Sequence, residues 1–214
     1  IVTSHLDSTD PVALTGLLDE LTDRHGRVDG IFHLAAHTAP DEFPLLADLT
    51  ADTARTIIDA KVRTAANLAA VLPGRDYDFV VLFSSISTLI GALRFGAYVS
   101  ANAYLDALAP RMSTLAGRPW LSVVWDGWTP SGETTEHGLG VLDGARLLRE
   151  ALRCGTPVVF AAARDVEQRR TAVLADLAAV AEAARAATGP QKRSGPLGIV
   201  LDTIAAVTGH RTID

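Results

Sequence analysis

Residues 78–106 read DFVVLFSSISTLIGALRFGAYVSANAYLD, and their interpretation decides the fold. The apolar run 79–83 ends in a cluster of hydroxyls, Ser84, Ser85 and Ser87. A loop punctuated by Gly91 follows, and then Tyr98, Asn102 and Asp106 recur at steps of four. An apolar run with polar groups at its carboxyl end, followed by helical spacing, predicts a buried parallel strand that delivers chemistry at its end. The four-residue steps place Tyr98 and Asn102 on one helix face.

The flanking sequence repeats this alternation. Asp10-Pro11 predicts a helix start, Leu14, Leu17, Leu18 and Leu21 give a helical apolar stripe, and His25-Gly26 ends it. Residues 28–36 (VDGIFHLAA) predict a buried strand, and residues 37–49 a loop with a short helix. Thr50 caps a helix that runs to about Leu72, and Pro73-Gly74 closes it. The Tyr98 helix is expected to stop near Gly117, with strands at 120–125 and 157–163 around a helix at 142–153. The opening residues 1–7 (IVTSHLD) also have strand-like composition. Strands alternating with helices predict an α/β fold, a Rossmann-like doubly wound parallel sheet with helices on both faces. An Ala-rich helix over 165–187 and a Gly/Pro/Ser-containing linker, 189–196, extend the chain as a helical C-terminal appendage.

Composition narrows the function classes. The 214 residues are 48% hydrophobic and 21% charged, which supports a sizeable core. A formal charge of −6 with no basic stripe argues against nucleic acid. No apolar run reaches membrane-spanning length, and one cysteine, Cys154, excludes an internal disulfide framework. These features predict a cytoplasmic protein. Cys154 is expected to fill core near a helix end. His33 and His37 lack a completing set of ligands, so no metal site is predicted.

The chemistry-bearing side chains form a consistent set. A phenol is a weak acid at neutral pH, and a nearby lysine ammonium favours its ionised form. Lys61 lies on the helix before the Ser85 strand, and Ser85 precedes Tyr98 by thirteen residues. A serine hydroxyl can hold a substrate oxygen while charge develops on it, and an asparagine can order a water.

Lys61, Ser85, Tyr98 and Asn102, set in FSS…AYVSANAYLDALA, resemble the catalytic tetrad of the short-chain dehydrogenase/reductase superfamily. More narrowly, they resemble the ketoreductase domains of modular polyketide synthases and related nonribosomal megasynthases. GRVDGIFHLAA (26–36), AKVRTAANL (60–68) and LSVVWDGW (121–128) support the match. The resemblance implies NADPH-dependent reduction of a ketoacyl thioester, β-keto or α-keto, tethered to a phosphopantetheinyl carrier domain, as in antibiotic biosynthesis. It implies that Tyr98 protonates the alkoxide, Ser85 orients the carbonyl, Lys61 contacts the nicotinamide ribose and tunes Tyr98, and Asn102 supports the proton relay. Asp7 falls where the family contacts adenine, Ala35 and Ala36 fall along the cofactor, and the segment from Asp126 to about Leu142 is the expected substrate lid. Trp125 and Trp128 are expected either to line the substrate channel or to serve as aromatic core.

The chain also departs from the family. No GxGxxG-like turn occurs, so the N-terminal Gly-rich βα unit that cradles a pyrophosphate is missing from it. The expectation is a fragment of a multidomain synthase, with neighbouring domains, including that N-terminal half, supplied from elsewhere. The alternative is a catalytically inactive reductase-fold domain with a structural or docking role. An LDD-type stereochemical motif has only Asp41-Glu42 as counterpart, and Ile90 stands where the other class has tryptophan. The expected organisation is a ketoreductase catalytic domain over 1–165, helix and linker over 166–195, and a carrier-protein-like helix beginning in 196–214.

Overall fold

The run beginning at residue 79 becomes β2 (Phe79–Ser85), and the sheet is built around it. Val80, Val81 and Leu82 expose no surface, the burial of a strand covered on both faces. The computed structural model describes residues 3–37, 43–91, 94–129, 133–135 and 138–188. Strand β2 pairs in parallel with β1 (Gly30–His33) on one side and β3 (Trp120–Trp125) on the other. Strand β4 (Val158–Ala161) pairs with β3, giving the order β1-β2-β3-β4.

Parallel neighbours need crossover connections. Helix α1 (Pro11–His25) precedes β1, and α2 (Ala51–Val71) joins β1 to β2. A short α3 (Ser87–Ile90) and then α4 (Gly96–Ala116) join β2 to β3, and α5 (Val141–Arg153) joins β3 to β4. Helix α6 (Val166–Thr188) follows β4, and a 3-10 turn spans Leu46–Asp48. The caps explain the boundaries: the Asp10 side chain accepts from Val12 N, the Thr50 side chain accepts from Thr53 N, and Gly26 turns the chain at φ 86.

Alternation along the strands divides the core into two layers. Val80, Leu82 and Trp120 face α1, α2 and α4, meeting Leu14, Leu68, Leu105 and Leu108. Val81, Leu121, Val123 and Trp125 face the other way, onto Leu139 and α5. This is the doubly wound parallel arrangement expected from the sequence.

Three details differ from expectation. Residues 3–7 form no ladder; the Asp7 carbonyl instead accepts Asp10 N in a turn, and Leu6 packs on the core. β-Branched composition marks a preference for pleated surfaces and does not supply a pairing partner. Strand β1 is shorter than 28–36, leaving the ladder after His33. Cys154 caps α5 and is exposed. The linker, the carrier-like segment and the Asp41-Glu42 pair lie outside the described residues.

Helix α6 is fastened to the carboxyl end of the sheet. Asp126, 3% exposed just past β3, accepts from Gly127 N at 2.8 Å and Ala163 N at 3.1 Å, and pairs with the Arg169 guanidinium. A buried carboxylate that loses its cation is strongly destabilising because its charge stays out of water. Arg169→Met is therefore expected to cost about 2–3 kcal/mol, read as a lower urea midpoint; an unchanged midpoint removes the pair's structural role.

Candidate active site

Ser85 ends β2 at the carboxyl edge of the sheet, and Lys61 reaches the same strand from α2. Register places Ser85 of β2 opposite Trp125 of β3, so these two strands end together, while β1 ends earlier, with His33 opposite Leu82. Ala35, half-buried, and Ala36, exposed, follow β1 at this edge.

Lys61 is 3% exposed on α2, and its Nζ donates to the Phe83 carbonyl of β2 at 2.6 Å. The same Nζ lies 5.9 Å from the centroid of the Tyr98 ring. Burial disfavours the ammonium and lowers the Lys61 pKa to about 8, with Asp106 partly opposing the shift. His33 holds the helix from below: its Nε2–H donates to the Lys61 carbonyl at 2.9 Å. Burial also lowers the His33 pKa, which favours the neutral imidazole.

Tyr98 and Asn102 sit one turn apart on α4. Asn102 is fully buried, and its Nδ2 donates to the Tyr98 carbonyl at 2.8 Å. Among the described residues its Oδ1 has no hydrogen-bond partner. The Tyr98 ring is braced edge-on by Phe43 at 5.6 Å and Phe95 at 5.8 Å, which stack on each other at 4.8 Å. Ser85, half-buried, ends β2 two residues beyond the carbonyl that receives Lys61. Lys61, Tyr98 and Asn102 thus form one cluster, and Ser85 stands at the end of the strand that Lys61 touches.

Asp7 is exposed, and its Oδ1 accepts from Thr9 Oγ1 at 2.7 Å and Thr9 N at 2.9 Å, which hold its carboxyl below the usual range. The adjacent Ser8 is tied to α2: its hydroxyl bonds Thr64 Oγ1 at 2.9 Å and its carbonyl accepts Asn67 Nδ2 at 3.2 Å. Asp7 therefore stands beside the helix that carries Lys61. Trp125 is core, 4% exposed, whereas Trp128 is 48% exposed and packs on it at 4.9 Å. Gly144 is what admits Trp128 to α5, since a Cβ there would lie 2.3 Å from the Trp128 ring.

Sequence reasoning missed the Phe43–Phe95 brace, the His33 tether and a hydrogen bond from Ser87 to Ser85. The three-residue step from Phe95 to Tyr98 is the one signal that reveals part of the brace. Phe43 comes from a loop far away in sequence, and nothing local announces it.

The doubly wound parallel sheet is the fold of the short-chain dehydrogenase/reductase type. A short-chain dehydrogenase from Streptomyces avermitilis shares the fold, with a TM-score of 0.65 over 88% of this chain and 80% of its own, at 18% identity. The chain belongs to the ketoreductase domain family of polyketide synthases: the family model described as KR domain matches residues 1–130. The ketoreductase from the first module of phoslactomycin biosynthesis in Streptomyces sp. HK803 is 32% identical, with a TM-score of 0.61 over 72% of this chain and 38% of that one. Over 208 residues the chain is 32% identical to the phenolphthiocerol synthesis polyketide synthase type I Pks15/1 of Mycobacterium bovis, covering 97% of this chain and 10% of that synthase. It thus spans about a tenth of that relative's length.

The fold family implies a nicotinamide cofactor, and the residues present fit its nicotinamide end. Lys61 Nζ carries three N–H groups, one of them committed to Phe83 O, and the buried Asn102 Oδ1 lacks a partner beside Tyr98.

The Lys61 burial yields a test with a defined sign. Below about pH 8 the lysine is charged in both the folded and unfolded chain, and folding bears the cost of desolvating it. Between about 8 and its ordinary 10.5 the unfolded chain holds the extra proton, so stability rises with pH. Lys61→Met is expected to be more stable than wild type at pH 7, by up to roughly 3 kcal/mol before the lost hydrogen bond to Phe83 is subtracted. The gain should vanish above the unfolded value. Denaturation across pH 7–11 checks this, and a pH-independent difference removes the burial argument.

Proposed function

We propose that this chain carries out NADPH-dependent reduction of a ketoacyl thioester held on a carrier domain of a multidomain polyketide synthase. The observation that carries this reading is the Lys61–Tyr98–Asn102 cluster at the strand end where Ser85 emerges. Lys61 and Tyr98 would hold the ribose of a reduced nicotinamide and Asp7 its adenine end, and the bound cofactor would supply the hydride. Ala35 and Ala36, just past β1, would line the cofactor with their backbone.

Ser85 donates a hydrogen bond to the ketone oxygen and stabilises the negative charge that grows there. Tyr98 transfers its phenolic proton to that oxygen, so the carbonyl becomes a hydroxyl and the tyrosine a phenolate. Lys61 keeps positive charge 5.9 Å from the ring on which that phenolate forms. Asn102 turns its unpartnered Oδ1 to an ordered water through which the proton is replaced from solvent. The braced Tyr98 ring loses little freedom on reacting, because Phe43 and Phe95 already hold it.

The β-ketoacyl thioester is the proposed substrate, and an α-ketoacyl thioester tested beside it sets the class. In the intact protein, Tyr98→Phe and Ser85→Ala are each expected to lower kcat roughly a hundredfold or more. Full activity in Tyr98→Phe sinks the assignment. A titration in which the intact wild type binds no NADPH favours the inactive scaffold instead.

A further inference from the structure

The Ser85 hydroxyl receives two hydrogen bonds from one residue. Ser87 Oγ donates to Ser85 Oγ at 3.0 Å, and Ser87 N donates to the same oxygen at 3.3 Å. A serine hydroxyl has two acceptor lone pairs and a single proton. With both lone pairs engaged, its remaining capacity is donation. We propose that Ser87 is a positioning residue that locks Ser85 as a hydrogen-bond donor towards the substrate carbonyl; this rests on the reading of Ser85 given above.

The surroundings make the lock rigid. Ser87 is 8% exposed, so no bulk water competes for its hydroxyl. The backbone that carries it is fixed on both sides: Ile86 N donates to Trp125 O at 2.8 Å, and Thr88 Oγ1 donates to Ser85 O at 3.1 Å. Ser84 takes no part, because alternation along β2 turns it to the opposite face, where its hydroxyl reaches the Asn102 carbonyl. The three serines of the cluster therefore have separate tasks.

A donor-locked Ser85 suits a ketone. The ketone oxygen only accepts, and it gains negative charge as it becomes an alkoxide. A freely rotating hydroxyl spends part of its time with a lone pair towards that oxygen, which repels it. Donation into Ser85 Oγ also polarises the hydroxyl and strengthens the bond that its own proton makes. The benefit grows with the charge on the substrate oxygen, so it belongs to the transition state more than to binding.

The test uses the intact protein, NADPH and a small soluble β-ketoacyl thioester. Ser87→Ala is expected to lower kcat about tenfold, the effect of roughly one lost hydrogen bond, with KM within about twofold of wild type. Ser87→Thr, which keeps the hydroxyl, is expected to restore the rate. Because Ser87 acts through Ser85, the double variant Ser85→Ala/Ser87→Ala should be no slower than Ser85→Ala alone. Wild-type kcat in Ser87→Ala, or losses that multiply in the double variant, overturn the proposal. If wild type itself consumes no NADPH, the reductase reading fails. The Ser87 assignment is then decided by crystal structures of wild type and Ser87→Ala: a Ser85 hydroxyl that leaves its rotamer supports it, and an unmoved one overturns it.

Discussion

A buried ammonium bonded to a strand carbonyl is the constraint around which the site is arranged. Lys61 Nζ reaches the Phe83 carbonyl and in doing so fixes α2 against β2. The lysine cannot retreat to water without breaking that contact, and it is charged in a place that disfavours charge. Everything near it accommodates this. His33 donates to the Lys61 carbonyl, Asp106 offers a counter-charge, and the Tyr98 ring presents its face. A lysine held this way has few rotamers left, so its separation from Tyr98 is set by the scaffold and not by diffusion of a side chain.

The aromatic brace performs the corresponding task for Tyr98. The Phe43 carbonyl accepts a 2.8 Å hydrogen bond from Arg94 Nε, which ties the loop after β1 to the start of α4. That tie places the Phe43 and Phe95 rings, and they place the tyrosine. Phenol and lysine are thus positioned by different layers of structure, one from the loop side and one from the helix side. The geometry between them depends on both layers being intact.

Much of this architecture is legible in the amino-acid sequence. Asp10-Pro11 and Thr50 mark helix starts because their side chains or ring fit the first turn, and both do so here. The four-residue step from Tyr98 to Asn102 is legible because the helix period puts them one turn apart, and the apolar run before Ser85 is legible as the strand that Lys61 reaches. Other features stay hidden for physical reasons. A lone lysine on a helix reads as solvated, and its burial follows from packing of α2 against β2. The Asp126–Arg169 pair joins residues 43 apart, so the Ala-rich sequence of α6 gives no local sign that the helix is clamped to the sheet. Residues 3–7 have strand composition, but pairing depends on neighbours that composition does not reveal.

The packing of Trp128 on Trp125 has a spectroscopic consequence. Two indoles at 4.9 Å and an interplanar angle of 43° lie close enough for their strong transitions to couple, producing a paired far-ultraviolet dichroism signal. Trp120, the third tryptophan, is buried elsewhere and donates to the Tyr77 hydroxyl, so it contributes a constant background. The coupled signal persists only while the segment after β3 rests on Gly144 of α5. The protein therefore carries an unlabelled optical gauge of whether that segment is seated or lifted, placed beside the site and readable in solution.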